Sequence, residues 1–132
     1  MSIETVSSVS VRPVPRRVVW AGRLMIALSA VHLIGFGTIA LDVMPEWLRG
    51  ELWMNGLAPI PNVEGLFWAS IASFAVPLLV IGLLVCWLAK TGIAVPRFVP
   101  LVLGGWLLIC SLLLEPSGFP IGFIPVFLLL RK

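Results

Sequence analysis

Four apolar stretches alternate with short polar segments along the chain, at residues 18–41, 63–88, 98–114 and 119–130. Apolar runs of such length predict membrane-spanning helices rather than strands. A helix rises about 1.5 Å per residue, so the first stretch is about 36 Å long, enough to cross a hydrocarbon core of about 30 Å. The pattern therefore predicts an all-α integral membrane protein, folded as an up-and-down four-helix transmembrane bundle.

The length of the last stretch, residues 119–130, does not decide whether it crosses the membrane. At about 18 Å it is too short to cross the hydrocarbon core unaided. The bilayer could thin around it, the turn before it could lie below the outer surface, or the segment could be re-entrant.

The distribution of charges favours a fourth crossing. Lys and Arg residues of short loops lie mainly on the cytoplasmic side of a membrane. The loop at 42–62 carries three carboxylates and a single arginine, whereas basic residues flank the other ends of the stretches. This alternation predicts that both termini are cytoplasmic. The basic residues concerned are Arg12, Arg16, Arg17, Lys90, Arg97, Arg131 and Lys132.

Composition supports lipid as the solvent. The 132 residues are 60% hydrophobic and 11% charged, against about 45–50% and about 25% in soluble domains. One domain of this size has no interior large enough to hide so much apolar surface. Nucleic acid is not an expected partner of this +3 chain, because the basic residues form no patch with stacking aromatics. We predict a flexible cytoplasmic tail at 1–17 and a membrane domain at 18–132.

The first outer loop predicts a short helix lying in the membrane interface. Met44, Leu48 and Leu52 recur every four residues, and Pro45 can begin a helix. Indole rings favour membrane interfaces, and every tryptophan except Trp106 falls at or near an end of a predicted span.

His32, the only histidine, lies inside the first span, about 13 Å from its outer end. Ser73 and Trp106 lie at about the same depth in spans two and three. Because Pro77 has no N–H for the Ser73 carbonyl, that oxygen would need another donor, which His32 could supply. His32 is therefore either a structural contact to Ser73 or a functional group: a proton carrier, a ligand anchor or a metal ligand.

Neither a metal site nor a cofactor is predicted. His32 has no second histidine or thiolate pair at its depth, and closed metal sites usually need about four protein ligands. A haem shared between two copies of the chain is the remaining route to metal ligation. Cys86 and Cys110 fall near opposite membrane faces, too far apart to bridge.

Two carboxylates complete the candidate intramembrane polar or ligand site. Glu64 opens span two, where the helix dipole favours an anion, and Glu115 closes span three, where the dipole disfavours one. Glu115 either pairs with Arg49 of the outer loop or is solvated among headgroups. Together the two carboxylates could form the mouth of a cation or substrate pathway.

Small residues form two stripes that predict close helix packing, within the chain or between copies. The stripes are Ala27, Ala30 and Gly37 in span one, and Gly65, Ala69 and Ser73 in span two.

Three segments carry a resemblance: "WAGRLMIALSAVHLIGFG", "FWASIASFAVPLLVIGLLVCWLAKTGIAVPR" and "LEPSGFPIGFIPVFLLLRK". Their shared features are the His-Leu-x-x-Gly around His32, the aromatic–small–Pro-Leu-Leu run through Pro77 and the Pro-Ser-Gly turn before the last stretch. Over residues 18–132 the chain resembles a family of short four-span bacterial membrane proteins, defined only as a domain of unknown function. The resemblance implies a multi-pass protein of the bacterial plasma membrane, and it implies no activity or functional residues.

Motifs for soluble chemistry are absent: there is no phosphate-cradling glycine loop, GxSxG or HExxH. The sequence predicts a non-enzymatic small integral membrane protein, either an accessory or structural subunit or a homo-oligomer. Its expected partners are the lipid bilayer and a membrane protein or second copy. The alternative is a small transporter or binder of lipophilic or cationic molecules that uses His32 and the outer-rim carboxylates. An enzyme with haem or quinone is a third possibility.

Overall fold

Every regular element in the described part of the chain is helical. The structure is a computed structural model that describes residues 15–54, 61–114 and 118–131. The all-α prediction is confirmed for these residues, and the first 14 residues of the predicted tail lie outside them. The α-helices are α1 (Arg16–Ala40), α2 (Met44–Leu48), α3 (Glu51–Met54), α4 (Pro61–Ala69), α5 (Ala75–Thr91), α6 (Phe98–Leu113) and α7 (Phe123–Leu130), with 3₁₀ turns at Leu41–Val43 and Phe119–Gly122.

Three of the predicted stretches correspond closely to observed helices. The stretch 18–41 is α1, which begins directly after Pro15, and the stretch 98–114 is α6. The stretch 119–130 begins with the 3₁₀ turn and continues as α7. Pro125 falls in the first turn of α7, where its missing N–H removes no helical hydrogen bond.

The prediction of one continuous helix over 63–88 is wrong. Residues 70–74 form turns between α4 and α5. Pro77 explains the interruption, because in a continuous helix its ring would clash with the Ser73 carbonyl and supply no N–H to it. With the break, Pro77 lies in the first turn of α5, and the Ser73 hydroxyl accepts a hydrogen bond from the Ala75 N–H at 3.3 Å. That N–H is one of those that a helix start leaves without a helical partner.

The first outer loop contains two short helices where one was predicted. Gly50, between α2 and α3, has a φ of +80°, which glycine adopts without steric penalty. The Trp47 indole N–H donates to the Val63 carbonyl at 3.0 Å, and its ring meets the edge of Phe67 with centroids 5.6 Å apart. These contacts join the loop to α4. The position of the loop in a membrane interface stays a prediction.

One helical stretch in the described residues, Arg16–Leu48, is long and apolar enough to cross a bilayer. The other apolar helices, Ala75–Thr91, Phe98–Leu113 and Phe119–Leu130, are shorter than that criterion requires. Length and composition therefore identify a single clear spanning candidate.

Two glycines allow α1 and α5 to approach each other closely. A Cβ on Gly82 would lie 2.9 Å from the Gly22 carbonyl oxygen and 3.0 Å from side-chain atoms of Met25 and Ile26. Only residues without side chains allow backbones to come this close. The predicted small-residue stripes do not provide this contact, since a Cβ on Gly37 or Gly65 would meet no atom within 4 Å.

A small apolar core joins the remaining helices. It consists of Met25 from α1, Leu103 and Leu107 from α6, and Val126 from α7, with side chains of α5 packed against it. Gly122 precedes α7 at a point where a Cβ would lie 2.8 Å from a Leu107 methyl carbon. The last segment is therefore packed tightly against α6.

We expect Gly82→Ala to lower the free energy of unfolding by about 1–3 kcal/mol, because the new methyl group would press on the α1 backbone. Gly105→Ala is the matched control, since Gly105 is exposed in α6 and its Cβ would meet nothing within 4 Å. We expect that control to change stability by less than about 1 kcal/mol, in the stabilising direction. The measurement is unfolding of the purified protein in mixed micelles, followed by tryptophan fluorescence. Equal effects of both substitutions would contradict the close approach.

Candidate functional site

A cavity of about 920 Å³ lies beside the C-terminal half of α1. Its other walls come from the end of α4, the α4–α5 turn, the start of α5, α6, the segment leading into α7, and the start of α7. Ligand pockets for small molecules typically measure about 300–1,000 Å³. The lining is mostly aliphatic, with five aromatic side chains. The aromatic side chains are Phe36, Trp68, Phe74, Trp106 and Phe119.

Three of the five predicted site residues line this cavity. They are His32, Ser73 and Trp106, which the sequence placed at one depth from helix geometry alone. The structure therefore brings these three to the walls of one cavity.

His32 joins the middle of α1 to the end of α4. Its Nε2 lies 2.9 Å from the carbonyl oxygen of Ala69. In a continuous helix the Ala69 carbonyl would accept a hydrogen bond from the N–H of Ser73, four residues later. Here the Ser73 N–H donates to the Ser70 carbonyl instead. His32 thus provides a donor to a carbonyl that the break at residues 70–74 leaves without one. The predicted partner of His32, Ser73, is wrong, because the break moves the unpaired carbonyl to Ala69.

This hydrogen bond determines which ring nitrogen of neutral His32 carries the proton. A carbonyl oxygen only accepts, so Nε2 is the N–H donor and Nδ1 keeps a lone pair. The ring is also packed against Phe36, one turn later on α1, with centroids 4.6 Å apart. The imidazole is held between an aromatic ring and a helix end.

The hydroxyl groups of the two serines in the lining each form one hydrogen bond with the backbone. The Ser29 hydroxyl donates to the Met25 carbonyl at 2.8 Å. Ser73 Oγ accepts from the Ala75 N–H, so its own O–H remains available as a donor.

Trp106 is held by two aromatic contacts. Its ring stacks on Phe74 with centroids 3.9 Å apart, and it meets the edge of Phe119 at 5.2 Å. Its indole N–H has no acceptor among the residues that the structure describes. Trp106 thus links the α4–α5 turn to the segment before α7.

The carboxylates are not part of the described cavity wall. Glu64 is exposed, and its Oε1 accepts a hydrogen bond from the Trp68 indole at 3.3 Å. Glu115 lies outside the described residues. Arg49, a predicted partner of Glu115, contacts Glu46 at 3.1 Å and Glu51 at 3.0 Å. The hydrogen bond to Glu51 raises the pKa of the Arg49 guanidinium above its usual value, and the Glu46 carboxylate acts in the same direction.

No group of three or more histidine, cysteine or acidic side chains that could hold a metal ion occurs in the described residues. Cys86 and Cys110 are free thiols. Cys86 Sγ lies 3.9 Å from the Val19 carbonyl oxygen, in the α1–α5 contact rather than in the cavity.

Sequence reasoning missed Ala69, Phe74 and Phe119 as site residues. Pro77 and the neighbouring serines signalled a helix break, but not which carbonyl would be left unpaired. The i, i+4 spacing of His32 and Phe36 was visible in the sequence and predicts their contact.

Comparisons with models of protein families, with curated proteins and with solved structures found no match. The resemblance to a family of short four-span membrane proteins therefore stays a prediction.

We expect His32→Ala to lower the free energy of unfolding by about 1 kcal/mol, because the Ala69 carbonyl would lose its donor in an apolar setting. The matched control is Thr38→Ala. Thr38 also donates from its side chain to a backbone carbonyl, that of Gly35 at 2.8 Å, but within an exposed part of the same helix. Unfolding in mixed micelles measures both. A His32 variant no less stable than the Thr38 variant would show that the hydrogen bond does not hold α4 in place.

Proposed function

We propose that the protein is a small, non-enzymatic, multi-span membrane protein that binds a lipophilic molecule in the cavity beside His32. The observation that carries the proposal is the cavity itself, about 920 Å³ in volume and lined almost entirely by apolar side chains. An apolar pocket with a few placed polar groups is the usual form of a site for a small lipophilic ligand.

The outward faces of the helices support a lipid environment. Large apolar side chains remain exposed on α1, α6 and α7, including Ile34 at 67%, Leu112 at 74% and Leu113 at 81%. Extended apolar surface of this kind is rare on soluble monomers. Lipid tails would cover it without cost.

We further propose four crossings with both termini in the cytoplasm of a bacterial cell. The supporting observations are the Lys and Arg residues at alternate ends of the apolar stretches and the packing of α7 against α6 and α1. A fluorescent protein fused to the C-terminus should fold and fluoresce, whereas a phosphatase that is active only after export should be inactive there. The reverse pattern would contradict the topology.

A pair of glycines on α1 offers a direct test of ligand binding. Gly35 lines the cavity, whereas Gly37, two residues later, does not, and a Cβ on either would meet nothing within 4 Å. We expect Gly35→Leu to occupy cavity volume and reduce the lipophilic material that co-purifies with the protein. Gly37→Leu should retain it.

Mass spectrometry of small molecules extracted from equal amounts of each purified variant makes the comparison. Monodisperse behaviour in detergent confirms that both variants are folded. Equal retention by both variants, or no bound molecule in the unmodified protein, would contradict the proposal.

The second candidate function is an accessory or structural subunit, or a homo-oligomer. It is favoured by glycines at which an added Cβ would meet nothing within 4 Å in the described residues, notably Gly37 and Gly65. Such positions allow another helix to approach closely. Mass measurement in mild detergent tests it, because a monomer without a co-purifying protein would exclude it.

A further inference from the structure

The proposed binding site carries unused hydrogen-bonding groups that specify the chemistry of the ligand. We propose that the cavity selects an uncharged lipophile with a hydroxyl group, and that this hydroxyl donates a hydrogen bond to Nδ1 of His32. The inference rests on the proposed function, since it assigns a ligand class to the same cavity.

The hydrogen bond of the His32 ring limits what its second nitrogen can bind. Nε2 is committed as a donor to the Ala69 carbonyl, 2.9 Å away. In the neutral ring the other nitrogen, Nδ1, can only accept. A ligand that satisfies this nitrogen must therefore bring a hydrogen-bond donor.

Nδ1 of His32 has no partner among the described residues. The buried side-chain atoms without a partner in the described part of the chain are Glu46 Oε2 and Ser111 Oγ. His32 Nδ1 makes no hydrogen bond with a described residue and is not among these buried atoms. Nδ1 is thus without a partner among the described residues, and the ring that bears it lines the cavity.

The remaining polar groups of the wall indicate what else the ligand can carry. Both the Trp106 N–H and the Ser73 O–H lack an acceptor among the described residues. Each can donate to an oxygen atom. A hydroxyl, which both donates and accepts, or a hydroxyl together with an ether or carbonyl oxygen, matches this set. The aromatic walls favour a flat ring, which can stack or meet ring edges.

The described part of the wall carries no charged side chain, which favours a neutral ligand. The described lining residues include no Asp, Glu, Lys or Arg. A charged group moved from water into an apolar cavity needs an opposite charge to compensate its lost hydration. The Glu64 carboxylate accepts a hydrogen bond from the Trp68 indole and does not line the cavity.

The probes are four small molecules on a common ring system: 2-naphthol, 2-methoxynaphthalene, naphthalene and 2-naphthylmethylammonium. The first brings a donor, the second only an acceptor, the third neither, and the fourth a positive charge. Binding to the full-length protein in detergent is measured by equilibrium dialysis. The amount of probe retained by the Gly35→Leu variant in the same detergent measures partition into micelles, and it is subtracted from the amount retained by the unmodified protein.

We expect 2-naphthol to bind about fivefold more tightly than 2-methoxynaphthalene or naphthalene, which corresponds to one additional net hydrogen bond. The cationic probe should bind more weakly than 2-naphthol.

A second readout needs no substitution at His32. Because His32 is the only histidine, protein grown with ¹⁵N-histidine gives ring-nitrogen NMR signals from this residue alone. Without a probe, Nε2 should appear protonated and Nδ1 unprotonated. Saturating 2-naphthol should shift the Nδ1 signal, whereas 2-methoxynaphthalene should leave it in place.

The outcomes separate the two proposals. If 2-naphthol and 2-methoxynaphthalene bind equally and Nδ1 does not shift, the cavity binds lipophiles but does not recognise a hydroxyl, and this inference is overturned. If no probe binds the unmodified protein better than Gly35→Leu, the proposed function fails and the inference with it. If the cationic probe binds most tightly, the inference of a neutral ligand is overturned, and Glu115→Gln then tests whether that carboxylate is responsible.

Discussion

The hydrogen bond from His32 to the Ala69 carbonyl links the longest helix of the protein to a helix that ends in the middle of a predicted span. Backbone carbonyls buried in an apolar medium need donors, and a helix that stops there leaves several without one. Pro77 forces the stop, the turn at residues 70–74 satisfies some of these groups locally, and His32 satisfies Ala69 from another helix. The shape of the cavity depends on this arrangement, because both Ala69 and the turn form part of its wall.

The two halves of α1 have different surroundings for a simple steric reason. Near its N-terminus, Gly22 faces Gly82, and the two backbones lie so close that neither position can carry a side chain without displacement. Toward its C-terminus, α1 borders α4 and the cavity instead, and α5 begins only after the break. α1 and α5 are in close contact at Gly22 and Gly82, but the break at residues 70–74 separates α5 from α4. The cavity lies beside α1 near this break. Trp106 and Phe119, whose ring centroids are 5.2 Å apart, line the cavity on another side.

The proposed binding function rests on two features of the cavity wall: a packed apolar core on one side, and a few polar side chains with unused hydrogen-bonding groups. Met25, Leu107 and Val126 are nearly or fully buried, so one side of the cavity is a packed core. The polar groups that line the cavity are few, and His32, Ser73 and Trp106 each keep a hydrogen-bonding group that the described residues do not use. Pockets of this composition distinguish ligands by the position of one or two polar atoms rather than by charge. The outer carboxylates proposed for a cationic pathway do not contribute to the described wall.

The apolar pattern of the sequence was sufficient to predict the helical class and the limits of α1 and α6, because long uninterrupted apolar runs have few structural solutions. Helix geometry was also sufficient to group His32, Ser73 and Trp106, which line one cavity. The partner of His32 could not be predicted, because it depends on where the helix breaks, and a proline allows the break to fall at several positions before it. The packing glycines were misassigned for a similar reason: several small residues recur at helical spacing, and the rotation of α1 against α5 selects Gly22 and Gly82. The sequence by itself thus determined the helical class, the limits of α1 and α6, and that His32, Ser73 and Trp106 would come to one region of the fold. Only the tertiary structure decided which carbonyl His32 bonds and which nitrogen it leaves free, because both depend on how helices far apart in sequence are positioned against each other.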